Sequence, residues 1–304
     1  MTGCARPHVL VTGASSGIGR ATALHLAASG HHVYAGVRKQ ADATALEQTA
    51  VSEKTDGEIT PLLLDVTDAG QVAAAADTIA AHAGAAGLDA LVNNAGIGIF
   101  GPLEIIPIEQ FRHQLEVNVT GQLAVTQAVL PLLRLARGRI VMIGSIGARF
   151  TPPFVGALAA SKSTLATMSE ALRQELAPWD IRVSLIEPAS IRTEAVGKLG
   201  RDAQQLMSEA GPGGRALYED AFGRLVRTFA ARHDRGSPPE AAAKAVAHAL
   251  TTPRPRARYL VGKDSRRMAL LAELLPVPAL DALRRKIGDQ PAPGSHAATT
   301  QAAV

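Results

Sequence analysis

Short apolar runs alternate with longer amphipathic stretches over the first two thirds of the chain, and this rhythm restricts the fold more than any other feature. The runs are His8 to Val11, His32 to Val37, Ile59 to Leu64, Leu88 to Val92, Arg139 to Ile143 and Ile181 to Ile186. Strands this apolar, without alternation, are buried on both faces, as in a parallel sheet covered by helices. The stretches between them read as helices: Gly17 to Ser29, Ala41 to Thr49, Ala69 to Ala83, Ile108 to Ala136 with an interruption near Pro131, and Ala157 to Leu176. The pattern predicts an α/β fold, a doubly wound parallel sheet flanked by helices in a single domain. Such sheets bind ligands beyond the carboxyl ends of their strands. The segments to inspect are therefore 12–19, 38–39, 65–66, 93–96, 144–145 and 187–193.

From Thr193 to about Arg235 the rhythm breaks, and Gly211-Pro212-Gly213-Gly214 interrupts a mostly helical segment. A stretch of this kind after the sixth strand suits a substrate lid. A helix at Pro238 to Leu250 and a seventh strand at Ala257 to Val261 complete a domain over residues 1–262. Residues 263–304 read as an extension of two short helices (Arg266 to Leu275, Pro278 to Ile287) and a tail from 289 rich in Ala, Thr, Pro and Gly, expected to be unstructured.

Composition narrows the function classes. Hydrophobic residues make up 47% of the 304 and aromatics only 3%, so the core is built from aliphatic side chains. The 31 basic and 27 acidic residues leave a net charge of +4, scattered rather than clustered. That fits a well-charged surface, not a nucleic-acid footprint. Cys4 is the single cysteine, which excludes an intrachain disulfide and a cysteine zinc cluster. The nine histidines show no metal-binding spacing, and the His31-His32 pair reads as structural. No uninterrupted apolar run reaches the roughly 18 residues of a membrane span. No signal peptide is expected ahead of the first strand. A cytoplasmic protein is expected.

Thr12-Gly13-Ala14-Ser15-Ser16-Gly17-Ile18-Gly19 joins the first strand to the first helix. Glycines let a backbone turn tightly against a pyrophosphate, and a helix N-terminus supplies amide donors and a positive dipole. Glycine spacing alone is a weak signal, but its place between strand and helix at the head of a βαβ series is the context a dinucleotide loop needs.

The spacing also carries a resemblance. The loop is similar to the TGxxxGxG of the short-chain dehydrogenase/reductase family, and further marks follow in order. Asn93-Asn94-Ala95-Gly96 resembles the family's NNAG, Asn118 its catalytic Asn, Ser145 its catalytic Ser, and Lys162 the Lys of its YxxxK. The resemblance covers about residues 6–262 and implies a Rossmann-type fold and a nicotinamide cofactor. It implies cofactor contacts from Gly13, Ser15, Ser16, Gly17, Ile18 and Gly19, from Asp65 and Val66 beside the adenine, and from Asn94, Ala95 and Gly96. Lys162 would hold the nicotinamide ribose, and Pro188, Ala189, Ile191 and Thr193 would lie beside the nicotinamide. The family's Pro-Gly is Pro188-Ala189 here. The second strand ends Gly36-Val37-Arg38-Lys39, without an acidic residue for a ribose 2′-hydroxyl. A carboxylate there would repel a 2′-phosphate, whereas a guanidinium binds one bidentately. Arg38, helped by Ser15 and Lys39, therefore favours NADP(H) over NAD(H).

The most informative departure is Leu158. Position 158 lies one helical turn before Lys162 on the same face. The family carries its proton-donating Tyr there; this chain reads Gly156-Ala157-Leu158-Ala159-Ala160-Ser161-Lys162. Leucine cannot supply a proton, and general acid help is worth roughly 10²–10⁴ in rate. The three tyrosines are Tyr34, Tyr218 and Tyr259. Only Tyr218, in the lid, is positioned by sequence to reach the site. Two readings stand. One is an NADP(H)-dependent oxidoreductase with another proton source, suited to C=C or C=N as well as C=O reduction. The other is a cofactor-binding, redox-inactive protein with a cyclase, isomerase or regulatory role.

Ile97, Ile99, Phe100, Phe150, Phe154, Val155 and Leu158 are the candidate pocket wall, and their apolarity points to a hydrophobic small-molecule substrate. The segment Met268 to Leu275, flanked by Arg266-Arg267 and Arg284-Arg285-Lys286, reads first as a helix packed on its own subunit, and second as a helix on an acidic membrane surface. By resemblance, a homodimer or homotetramer pairing through 108–136 and 157–176 is expected.

Overall fold

The computed structural model describes residues 6–294. Seven strands form one parallel sheet in the order β3-β2-β1-β4-β5-β6-β7. They are β1 (His8–Val11), β2 (His32–Val37), β3 (Glu58–Leu63), β4 (Ala90–Asn93), β5 (Arg139–Ile143), β6 (Arg182–Pro188) and β7 (Arg258–Val261). The order reverses between β1 and β4, which opens a crevice at their carboxyl ends. The helices are α1 (Gly17–Ala28), α2 (Gln40–Ser52), α3 (Ala69–Ala83), α4 (Ile108–Leu115), α5 (Gly121–Ala136), α6 (Gly156–Glu175), α7 (Glu194–Glu209), α8 (Gly211–Asp234), α9 (Glu240–Thr251), α10 (Ser265–Leu274) and α11 (Val277–Ile287).

Both faces of the central strands are buried, as the uninterrupted apolar runs require, whereas the edge strand β3 is partly exposed, with Leu63 at 52%. Val9, Val11, Val33, Val92, Val141 and Ile186 pack toward α1 and α9. Leu10, Leu91, Ile140, Met142 and Leu185 pack with Val125, Val129 and Leu133 of α5 and Leu165 of α6. Each fully buried aliphatic side chain stabilises by about 1.5–3 kcal/mol relative to exposure. The sheet is thus a rigid floor under the loops at its carboxyl edge.

Two local expectations change and a third holds. The 108–136 segment is interrupted at Glu116–Thr120, which forms a π-turn between α4 and α5, while α5 runs through Pro131. By length and composition this segment could cross a membrane; here it is a layer of the fold, with Val125, Val129 and Leu133 in the core. The glycine-rich break in the lid separates two helices, with Gly211 turning the chain at φ +68°. The tail starts later than expected: Gln290 Nε2 donates to Ala221 O at 2.9 Å, and Asp289 O accepts from Arg224 Nε at 3.0 Å. Cys4 lies outside the described residues, as does the tail beyond 294.

Candidate active site

The loop after β1 takes the shape its glycines permit. Gly13 has φ +63°, and a Cβ there would stand 2.8 Å from Ala95 Cα. At Gly19 a Cβ would stand 2.2 Å from Gly13 O, so α1 can begin this close to β1 only with glycine. Ser16 caps α1 without a side-chain hydrogen bond, which leaves the first-turn amides of Gly17 and Ile18 as free donors for an anion.

The segment after β4 is fastened to this loop. Thr12 Oγ1 accepts from Asn94 N and Ala95 N, both at 2.9 Å. Asn94 Nδ2 donates to Thr12 O at 2.9 Å and Gly13 O at 3.0 Å. Asn93 turns the other way, into the core, where its Nδ2 reaches Thr126 Oγ1 at 2.7 Å. Asn94, Ala95 and Gly96 are therefore the rim of the cradle. Thr193, at the start of α7, comes over Gly17; a Cβ on Gly17 would meet its Cγ2 at 3.2 Å. A groove of about 870 Å³ runs past Ser15, Ser16 and Gly17 to Arg20, Arg192 and Thr193.

Arg38 is exposed at the end of β2 and lies within charge range of Asp65 at the end of β3. Burial acts to raise the Asp65 carboxyl, but hydrogen bonds from Thr67 and the Arg38 charge outweigh it and hold it below the ordinary carboxylate range. Asp65 N donates to Gln71 Oε1 at 2.8 Å, and Gln71 Nε2 donates to the α3 cap Asp68 at 3.0 Å. This reciprocal cap fixes Asp65 and places buried Val66 against Gly121.

The chemical end of the site lies beyond β4 and β5. Asn118 sits in the π-turn, fully buried. Its Oδ1 accepts from Ile97 N at 2.8 Å, and its Nδ2 donates to Ile97 O at 2.8 Å and Ser161 Oγ at 2.9 Å. The extra residue of a π-turn aims this side chain off the helical register, a common device at functional positions. Lys162 Nζ donates to Ile143 O at 2.8 Å, and a Cβ on Gly96 would lie 3.6 Å from Nζ. Burial pushes the amine down to about 8. Ser145 Oγ accepts from Gly147 N at 3.0 Å, which leaves its hydroxyl hydrogen free to donate. Asn118 and Lys162 both approach Gly96, and Ser145 stands two residues beyond Ile143, whose carbonyl Lys162 holds. Ala189 and Pro188 close the far wall, where Ala189 N donates to Val261 O at 2.8 Å. The added methyl of Ala189 is accommodated within the buried cluster of Ile146 and Ala269. Ile191 pairs with Ser237.

Leu158 faces an apolar cluster under the lid, with Phe100, Phe154, Val155, Leu206, Phe222 and Leu225. Three wall residues expected there, Ile97, Ile99 and Phe150, are not part of this cluster; Ile99 N donates to Gln114 Oε1. Ile97 packs on the sheet core, and Phe150 lies under the Arg284 guanidinium, 5.6 Å from ring centre. No tyrosine replaces the missing phenol. Tyr34 is buried in a stack with His8 and His32, with His8 Nδ1 2.9 Å from its hydroxyl. Tyr259 pairs with His248. Tyr218 donates to Glu104, and that hydrogen bond first, then burial, raises its phenol above the ordinary value. Sequence reading missed one structural group here: buried Glu187, held by Arg149 at 2.8 Å and Arg258 at 3.1 Å, which braces the segment after Ser145. Its partners are distant in sequence, so no local pattern announces them.

The sheet order and the glycine cradle define a nucleotide-binding protein of Rossmann type. The short chain dehydrogenase family pattern matches residues 7–204, and the chain belongs to that family. It is 34% identical over 279 residues to an NADPH-dependent 3-dehydrocapnine reductase of Ornithobacterium rhinotracheale, covering 90% of this chain and 94% of that one. It is 35% identical over 290 residues to retinol dehydrogenase 5 of Mus musculus, covering 93% and 89%. Among solved structures, a short chain dehydrogenase from Burkholderia cenocepacia in complex with NADP aligns with TM-score 0.67 and 27% identity, covering 92% of this chain and 97% of that one.

Proposed function

We propose that this protein is an NADP(H)-dependent oxidoreductase acting on a hydrophobic small molecule, with a proton source other than a side chain at position 158. One observation carries the reading: a complete dinucleotide cradle and the Asn118–Ser145–Lys162 group stand beside an apolar cluster that contains Leu158. The loop's geometry suits the cofactor, since glycines at 13 and 19 let it fold against Ala95 and Asn94 and leave the first-turn amides of α1 facing outward for a pyrophosphate. Gly17, Ile18 and Gly19 would hold the pyrophosphate, Arg38 with Ser15 and Lys39 a 2′-phosphate, Asp65 and Val66 the adenine, and Lys162 the ribose. A bound nicotinamide supplies or accepts a hydride. The NADPH named for the capnine-type relative and the NADP in the Burkholderia complex favour the same cofactor here.

The protein's own groups do the rest. Ser145 can donate its hydroxyl to a substrate oxygen. Lys162 brings positive charge to the ribose and to any water beside it. Leu158 and the lid cluster exclude bulk water and favour apolar substrates. An activated C=C or C=N needs less from a protein acid than a ketone does, and so suits this site. The single cysteine and the exposed Ile108 and Leu135 on the 108–136 layer support a cytoplasmic homodimer or homotetramer.

NADPH consumption on apolar ketones, aldehydes, enones and cyclic imines tests the proposal. Turnover on one class, faster with NADPH than NADH, is expected. Tight NADPH binding with no turnover on any class would overturn it in favour of the redox-inactive reading, which the leucine at 158 favours.

A further inference from the structure

The turn between α10 and α11 presents six consecutive apolar residues, Leu274-Leu275-Pro276-Val277-Pro278-Ala279. Five of them are exposed and Leu275 is half-exposed. Leu274 keeps 69% and Val277 67% of their surface, and Leu270, one turn earlier on the same side of α10, keeps 56%. Such runs on a surface are unstable in water unless something covers them. The turn itself is held firmly. Ala269 and Leu280 are buried, and Arg284 Nη2 donates to Arg149 O at 3.1 Å. The exposed apolar knuckle is therefore a fixed part of the surface.

Its surroundings choose the partner. Arg266 and Arg267 precede it and Arg285 and Lys286 follow it, and none of these four has an ion-pair partner among the described residues. Asp264, Glu273 and Asp289 are the exposed acidic residues of this segment, and Asp281 is paired with Arg284. A symmetric contact between two copies through the knuckle would bring these cations against their own counterparts, which is unfavourable. An anionic bilayer offers both what the apolar residues need and what the cations need. α10 also begins directly after β7, at the carboxyl edge of the sheet where the site opens.

We infer that the Leu270–Val277 knuckle and its flanking cations form an interfacial anchor that seats the site's mouth on an anionic lipid surface. The inference does not depend on the redox reading, since it concerns adsorption alone. It combines the two sequence expectations for this segment: one side of α10 packs on the subunit, and the other is free for lipid.

Flotation of the full chain with phosphatidylcholine vesicles, with and without phosphatidylglycerol, tests it. The protein should float with the anionic vesicles at low salt and much less with neutral ones. A Leu274→Ser/Val277→Ser pair should lower that partitioning about tenfold or more. An Arg266→Gln/Arg267→Gln pair, which removes no apolar side chain, should lower it on anionic vesicles and flatten its salt dependence. Failure of the unchanged protein to bind anionic vesicles would overturn the proposal, as would undiminished binding by the serine pair. Sedimentation velocity gives a third contrary result: a serine pair that dissociates an oligomer would show that a second copy covers the knuckle.

Discussion

Ser161 joins Asn118 to Leu158: its Oγ accepts from Asn118 Nδ2 at 2.9 Å and donates to Leu158 O at 2.8 Å. The π-turn and the start of α6 are thereby held in one register, and position 158 is fixed even though its side chain has no polar group. Ser161→Ala should cost about 1–3 kcal/mol, because it removes both hydrogen bonds and leaves one Asn118 Nδ2 proton without its acceptor while the other keeps Ile97 O. Urea unfolding of the two proteins checks this; an unchanged midpoint would show that the link bears no load.

Arg38 is the group expected to distinguish the two nicotinamide cofactors. A charged hydrogen-bonded contact is worth about 1.5–3 kcal/mol. Arg38→Ala should therefore weaken NADPH binding by roughly ten- to a hundredfold and leave NADH binding nearly unchanged. Titration calorimetry with both cofactors reads the difference. Equal weakening would remove Arg38 from the 2′-phosphate.

Lys162 gives stability a pH dependence whose sign is fixed by its burial. The folded amine titrates near 8, below the ordinary 10.5. Below pH 8 it is charged in both states, and the folded state bears the full cost of burying it. Between about 8 and 10.5 the unfolded chain holds more protons, so stability rises with pH. Lys162→Met removes this contribution. The stability of the unchanged protein should climb relative to the variant across that window, by up to about 3 kcal/mol. Parallel unfolding curves from pH 7 to about 10.5 would show that the amine is not desolvated.

Glu187 is fully buried between Arg149 and Arg258, which also pairs with Glu170. Removing one member of a buried pair costs about 3–5 kcal/mol. Both arginines are partly exposed and retain some water, so Glu187→Ala should fall near the lower end, about 3 kcal/mol. Thermal unfolding at neutral pH measures it. A loss below about 1 kcal/mol would mean that the network behaves like surface pairs.

The sheet was legible because its strands are apolar on both faces, and the cradle because glycines 13, 17 and 19 are conformationally obligatory between a strand and a helix. Asn118, Ser145 and Lys162 were legible by resemblance, and Asn118 and Lys162 both approach Gly96. The π-turn was not, because it adds one residue to a helix without a characteristic side chain, whereas Pro131 attracted the expected break. Phe150 was misassigned to the pocket wall because its partner, Arg284, comes from the extension. The Glu187 network escaped because Arg149 and Arg258 lie 38 and 71 residues away in sequence, with no local pattern to join them.

The central claim is that the cofactor machinery is intact while the phenol is gone, and Leu158→Tyr examines it most directly. NADPH-dependent reduction by the unchanged protein and the variant should be compared on the same apolar ketones and enones. The account predicts that the variant gains ketone reduction by roughly 10²–10⁴, the value of a positioned general acid. The unchanged protein should keep any activity on substrates that need no protein acid. A variant that binds NADPH as tightly and still gains nothing on ketones would contradict the claim, because the groups around position 158 would then not form a reductive site.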